Sequence, residues 1–147
     1  MGAGRTKDAS LLPVVGKTVI DPLPVRETSG GGTYFEAIDL ALNTQIDIVG
    51  PVKPVIRSLS PTGLICAEQA APATAQIDQI RLLSERPLSS YITLRSIVSK
   101  SGDLACCYGH ALNKDDKPVG YYMRLWRLEQ AGKVPPRLVV DNFLKAT

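Results

Sequence analysis

The run Ser101-Gly102-Asp103-Leu104-Ala105-Cys106-Cys107-Tyr108-Gly109, followed after one short loop by Gly120-Tyr121-Tyr122-Met123-Arg124-Leu125-Trp126-Arg127, constrains this chain more than any other feature. Gly102-Asp103 supplies turn chemistry, and the apolar and aromatic residues that follow favour a pleated strand. Asn113-Lys114-Asp115-Asp116-Lys117-Pro118 is a second turn, so Leu104 to Leu112 and Val119 to Leu128 read as antiparallel neighbours. Tyr91 to Ser99 and Leu138 to Leu144 extend the same pattern on either side, the latter after the Pro-rich loop Glu129 to Pro136. Successive strands with short connections predict a meander.

A meander with one apolar face needs a cover, and the first half of the chain supplies helical patterns. Thr33 and Glu36 have the spacing of a capping box, predicting a helix that runs to about Ile48 and buries Phe35, Ile38, Leu42, Ile46 and Val49. Gly30-Gly31-Gly32 reads as a flexible lead into it. Gly50-Pro51 ends it, and Val52 to Leu59 is expected as a short second helix. Thr62-Gly63 is expected to turn the chain, before a short strand at Leu64 to Ala67. A third helix, from about Ala73 to Glu85, would present Ile77, Ile80 and Leu83 before Pro87 stops it. The fold class is α+β, with N-terminal helices packed on a curved antiparallel sheet.

With 147 residues, 44% hydrophobic and 21% charged, the chain is large enough to bury one core. The domain is expected over residues 33–147, and residues 1–32, rich in Pro and Gly, as an extended arm. Leu11 to Val15 and Val19-Ile20 are apolar enough to dock along the domain or across a second subunit. The net charge of +3 arises from 17 basic and 14 acidic residues interleaved along the chain. That distribution disfavours nucleic acid and a basic membrane patch as partners. No apolar run has the length of a membrane span, and Met1 to Asp8 lacks the apolar core of a signal peptide, so a cytoplasmic location is expected. An export signal removed in processing is compatible with the same sequence. The cysteines Cys66, Cys106 and Cys107 are odd in number, which fits a reducing compartment.

Counting rejects several chemistries. Gly16-Lys17-Thr18 ends like a phosphate-binding loop, but Leu11 stands where its first glycine belongs. One histidine and three scattered cysteines assemble no zinc spacing, so neither metal nor cofactor is expected.

The Gly-Asp-Leu-Ala strand at residues 102–105 and the Arg-Leu-Trp-Arg ending at 124–127 together resemble the nuclear transport factor 2-like superfamily, especially its SnoaL-like, ketosteroid-isomerase-like domains. The resemblance covers roughly residues 33–145. It implies a cone with an internal pocket between sheet and helices, and it implies no particular reaction, since the superfamily contains isomerases, cyclases, dehydratases, ligand binders and oligomerisation domains. Alternation places Tyr122, Arg124 and Trp126 on one strand face and Tyr121, Met123 and Leu125 on the other. The resemblance turns the Arg124 face inward, with Ala105, Cys107, Gly109 and Ala111. Arg124 then becomes a buried cation needing a partner. Asp141 is the candidate partner, sharing a face with Val139 and Phe143.

Asp141 is also the candidate catalytic acid or base, because some polyketide cyclases of the superfamily carry that carboxylate on a late strand. The competing reading of the Arg124–Asp141 pair is a structural ion pair. His110, the sole histidine, falls on the convex face as a surface or subunit-contact residue, and Cys107 reads as a small inert hydrophobe. The chain departs from the superfamily in two places. Gly132-Lys133-Val134 leads into Pro135-Pro136 instead of a Gly-aromatic-Lys turn, and no Tyr and Asp dyad of the ketosteroid isomerase kind can be assigned.

Three functions compete. The first is a small-molecule-binding domain, with Arg124, Tyr122, Trp126, Cys107 and Phe143 around a small, mostly apolar ligand that carries a carboxylate. The second is a cofactor-independent isomerase, cyclase or dehydratase using Asp141, with Tyr122 or Arg124 stabilising an oxyanion. The third is a homodimerisation or interaction module using Tyr108, Tyr121, Met123 and Leu125.

Overall fold

The computed structural model describes residues 30–87, 90–129 and 134–146. Helix α1 spans Gly30–Val49 and α2 Val52–Ser58. They are followed by strand β1 Leu59–Ala67, helix α3 Gln76–Ser84, and strands β2 Ser90–Val98, β3 Leu104–Leu112, β4 Pro118–Arg127 and β5 Arg137–Lys145. The sheet order is β1-β5-β4-β3-β2. Strands β2 to β5 form the expected antiparallel meander, while β1 adds to β5 in parallel. The sheet is therefore mixed, not purely antiparallel. The chain leaves β1 through α3 and enters the sheet at its far edge, so three hairpin reversals bring β5 back alongside β1 in the same direction.

Helix α1 begins earlier than the capping-box spacing predicted, and the three glycines lie within it. Glu36 does not turn back to cap the helix. Its Oε2 accepts from the Ser96 backbone N–H at 3.1 Å and the Ser96 hydroxyl at 2.8 Å, fastening α1 to edge strand β2. The buried face of α1 is Phe35, Asp39, Leu42, Asn43 and Ile46, whereas Val49 is exposed. Gly50, at φ +85°, ends the helix and donates its N–H to the Ile46 carbonyl at 2.8 Å.

Thr62-Gly63 is not a turn but part of β1, whose pairing with β5 shifts between Leu59 and Leu64. Helix α3 is rotated from the predicted orientation: Gln79, Leu82 and Leu83 are buried, while Ile77 is 77% exposed. Gln79 sets that rotation, because its Nε2 donates to the carbonyls of Gly63 at 3.2 Å and Ala73 at 3.1 Å. Ala73 lies outside the helix and pairs with Ile65.

Curvature has a local cause. The β2–β3 register shifts between Thr93 and Arg95, opposite Gly109. A Cβ at Gly109 would lie 1.8 Å from the Ile92 carbonyl oxygen, so the edge strand can press this close only over a glycine. A second shift, between Leu125 and Trp126, moves Leu138 rather than Val139 onto the buried face of β5.

The core lies between the helices and the concave face, where Phe35, Leu42, Ile46, Val55, Ile65, Leu83, Val98, Trp126 and Leu138 form one cluster. The opposite face leaves Ile92, Leu94, Tyr121, Met123 and Leu144 exposed. The expected docking of Leu11 to Val15 and Val19-Ile20 concerns a segment outside the described residues. Among the described residues, no helix is long and apolar enough to cross a membrane.

Candidate functional site

Tyr122, Arg124 and Trp126 project from β4 into the concave side, and α1 lays Asp39 and Asn43 over them. Arg124 and Asp141 are opposite neighbours in the β4–β5 ladder, and both side chains are wholly buried. Arg124 Nε donates to Asp141 Oδ2 at 3.0 Å, while Nη1 donates to Asp39 Oδ1 at 3.0 Å and Asn43 Oδ1 at 2.7 Å. The guanidinium packs against an edge-to-face pair of aromatic rings, 4.4 Å from the Tyr122 centroid and 4.8 Å from that of Tyr91.

A second arginine completes the arrangement. Arg86, just beyond α3, donates from Nη1 to Asp141 Oδ1 at 2.6 Å and to the Tyr91 hydroxyl at 3.0 Å. Asp141 thus has one arginine on each oxygen. Asp39 is saturated as well: Oδ1 also accepts the Trp126 indole N–H at 2.9 Å, and Oδ2 accepts the hydroxyls of Tyr122 at 2.6 Å and Thr93 at 2.8 Å. Asn43 Nδ2 donates to the Thr93 and Tyr122 oxygens at 2.8 and 3.2 Å, fixing its amide orientation. Two guanidiniums and two carboxylates balance in charge, as a buried cluster requires. Among the described residues, the donors Arg86 Nε and Arg124 Nη2 are buried without a partner.

The electrostatics follow from the geometry. Burial alone would raise the Asp141 carboxyl, but Arg86 and Arg124 reverse it and hold the group below the usual carboxylate value. Burial would likewise weaken the charge on Arg124, and Asp39 and Asp141 overcome it, raising the guanidinium above the ordinary arginine range. Burial, then the Asp39 charge, push the Tyr122 phenol up. The same two causes raise the Cys106 thiol to about 11, and Cys107 also lies well above a normal thiol. These are locked charges and neutral thiols. A proton reaches Asp141 only at the expense of two ion pairs, and the Tyr122 hydroxyl proton is spent on Asp39.

The structure therefore brings Arg124, Tyr122, Trp126 and Asp141 into one network. Cys107 packs behind it, with Sγ 3.7 Å from the Phe35 carbonyl oxygen. Phe143 lies apart, nearer the end of the cone where β1 and β5 finish. Its ring faces Arg86, whose guanidinium carbon is 5.7 Å from the centroid. There Ala67 to Ala70, Arg81, Leu82, Glu85, Arg86, Pro87, Phe143 and Lys145 line an open recess of about 400 Å³. Sequence reasoning missed Asp39, Asn43, Arg86, Tyr91 and Thr93. The first two carried a signal, since they share the helical face of Phe35, Leu42 and Ile46. Among the described residues, no group of three or more His, Cys, Asp or Glu could hold a metal ion.

No protein-family model and no curated protein matches the sequence. Solved structures do match in shape. A nuclear transport factor 2-like protein with a cystatin-like fold from Novosphingobium aromaticivorans aligns with a TM-score of 0.53 at 14% identity, over 77% of this chain and 80% of that one. A ketosteroid isomerase-like protein from Erwinia carotovora atroseptica gives 0.55 at 17% identity, over 78% and 95%. A protein from Catenulispora acidiphila, solved in complex with S-DNPA, gives 0.56 at 10% identity, over 77% and 91%. With these neighbours, the helices laid on a curved five-stranded sheet have the nuclear transport factor 2-like, cystatin-like fold.

Proposed function

We propose that this domain binds a small, mostly apolar ligand bearing a carboxylate and does not transfer protons with Asp141. The observation that carries this reading is the occupancy of Asp141: both oxygens are held by arginines, at 2.6 and 3.0 Å. A general base needs a free lone pair aimed at substrate, and a general acid needs a proton at working pH. Asp141 is wholly buried, so no lone pair of it is aimed at substrate, and its two arginines hold it ionised below the usual carboxylate value. An open recess of about 400 Å³ with Arg86, Phe143 and Lys145 in its lining instead supports a small-ligand site. Arg124, Tyr122, Trp126 and Cys107 then act as the scaffold behind the ligand, and Phe143 supplies apolar contact. That the Catenulispora acidiphila neighbour was solved in complex with S-DNPA supports a ligand in this fold.

The test pairs binding with turnover. Saturation-transfer spectra with aromatic and aliphatic carboxylates are expected to show binding, while cyclic ketones incubated with protein in D2O gain no α-deuterium above the protein-free rate. Deuterium incorporation that disappears in Asp141→Asn refolded protein would install the carboxylate as a base and overturn the reading.

A second proposal concerns assembly. Ile92, His110, Tyr121 and Leu144 stand opposite one another across β2, β3, β4 and β5, and three of the four are large exposed hydrophobics. Such a row on a sheet face fits a two-fold homodimer.

A further inference from the structure

We infer that the ligand's carboxylate is received at the end of the cone, in the recess above Arg86, and not at Arg124. This placement rests on the ligand-binding reading above and adds its location and the group that recognises the acid. Arg124 has no room to serve: it is wholly buried, and three of its donor contacts are committed to Asp39, Asn43 and Asp141.

Arg86 differs in its position. It borders the 400 Å³ recess, whose size falls in the range of small-ligand sites. Like Nη2 of Arg124, its Nε–H is buried with no acceptor among the described residues, and the side chain is 2% exposed. A buried N–H left without a partner costs about 1–3 kcal/mol, so an arriving acceptor is favoured beyond its charge.

The surroundings suit a carboxylate attached to an apolar body. Leu82, Pro87, Ala67 and Phe143 give the recess apolar walls, Lys145 adds a cation, and the two carboxylates of the lining, Glu68 and Glu85, stand against Lys145 and Arg81. Arg81 is paired with Asp78 at 3.5 Å and Glu85 at 4.0 Å, and Arg86 with Asp141 at 2.6 Å, so what Arg86 offers an incoming acceptor is its unpartnered Nε–H rather than a free charge. Asp141 keeps the guanidinium oriented through Nη1, and the Cys66 carbonyl accepts from Nη2 at 3.4 Å. The class of ligand is therefore a small aryl or alkyl carboxylate, and the neutral amide of the same skeleton is rejected.

The experiment follows arginine Nε–H and tryptophan indole N–H signals in ¹⁵N-labelled protein during titration with benzoate, phenylacetate and hexanoate, with benzamide and hexanamide as neutral controls. Trp126 is the only tryptophan, so its indole reports on the interior without ambiguity. Arg86→Lys keeps the charge opposite Asp141 but removes the Nε–H, and its missing signal assigns the resonance. The expected result is saturable movement of the Arg86 signal with the acids and not the amides. Arg86→Lys should weaken the acids roughly tenfold, the loss expected for one charge-assisted hydrogen bond.

Ala70→Phe, at an exposed position on the recess wall, should block binding without moving the melting temperature, which guards against a misfolded arginine variant. Acids that bind, move the Trp126 indole and ignore Ala70→Phe would overturn this placement while leaving the ligand-binding reading intact. No movement of any signal by the acids at millimolar concentration would overturn both.

Discussion

Replacing Asp39 with Asn changes almost no volume but removes one of two negative charges from a closed interior. In the native arrangement Asp39 takes four hydrogen bonds, from Arg124, Trp126, Tyr122 and Thr93, at 2.6 to 3.0 Å. The amide keeps one acceptor and turns two N–H groups towards the hydroxyls of Tyr122 and Thr93, which Asn43 already supplies with donors. Arg86 and Arg124 must then share Asp141 alone. Breaking a buried pair in this way costs about 3–5 kcal/mol, a large part of the roughly 5–15 kcal/mol that holds a domain folded. For a chain of this length the melting temperature should fall by roughly 10 °C or more. Urea denaturation followed by circular dichroism and by Trp126 fluorescence measures the loss directly. Arg124→Met combined with Asp39→Asn is expected to recover part of it, because the orphaned charge disappears with its former partner. A loss below about 1 kcal/mol for Asp39→Asn alone would show that the interior admits water and that the charge balance of the network does not hold the fold together.

Acid and alkali should both destabilise the protein, for different groups. Asp141 is held below 3.8 when folded, so its contribution is complete above about pH 4 and is lost as pH falls through the folded value. Tyr91 and Tyr122 are raised above 10.0, so their contribution is intact below pH 10 and disappears as pH climbs through their folded values. Cys106, moved from 9.0 to about 11, adds to the alkaline loss across that interval. Urea midpoints measured from pH 2 to pH 12 should therefore plateau between about 4 and 9; a maximum outside that plateau would contradict the assignment. Gly109→Ala places a methyl 1.8 Å from the Ile92 carbonyl oxygen and 2.9 Å from the Tyr122 ring, and a loss of roughly 3 kcal/mol or failure to fold is expected. Light scattering should give a dimer mass at micromolar concentration, and Tyr121→Glu, at an exposed position, should give a folded monomer; a wild-type monomer refutes the proposed face.

The meander was legible because β2 to β5 carry period-two alternation and their turns have strong turn residues. The addition of β1 was not, because its parallel partner lies at the opposite end of the chain and Thr62-Gly63 imitates a turn. Periodicity also misjudged α3, where Ile77 and Ile80 follow a helical stripe but one glutamine with three carbonyl partners decides which side is buried. At the site, Arg124 and Asp141 were readable as a pair from strand alternation together with the family resemblance. Asp39 and Asn43 were hidden by the habit of reading a helix face only through its apolar members. Arg86 had no local signal at all, since its role depends on a loop brought back against β5.

The parallel pairing of β1 with β5 bears on how the chain comes to be folded. Leu59 must find Leu138, and Asp39 must find Arg124, so neither the sheet nor its charge balance can be completed from the first half of the protein. During synthesis, α1 emerges with a carboxylate and an amide on the face it must later bury, and that face gains its cation only when β4 has been made. The helical half should therefore remain an uncommitted intermediate on the ribosome until the last strand clears the exit tunnel. Closure is then a late, non-local step, slower than the formation of the hairpins that prepare it.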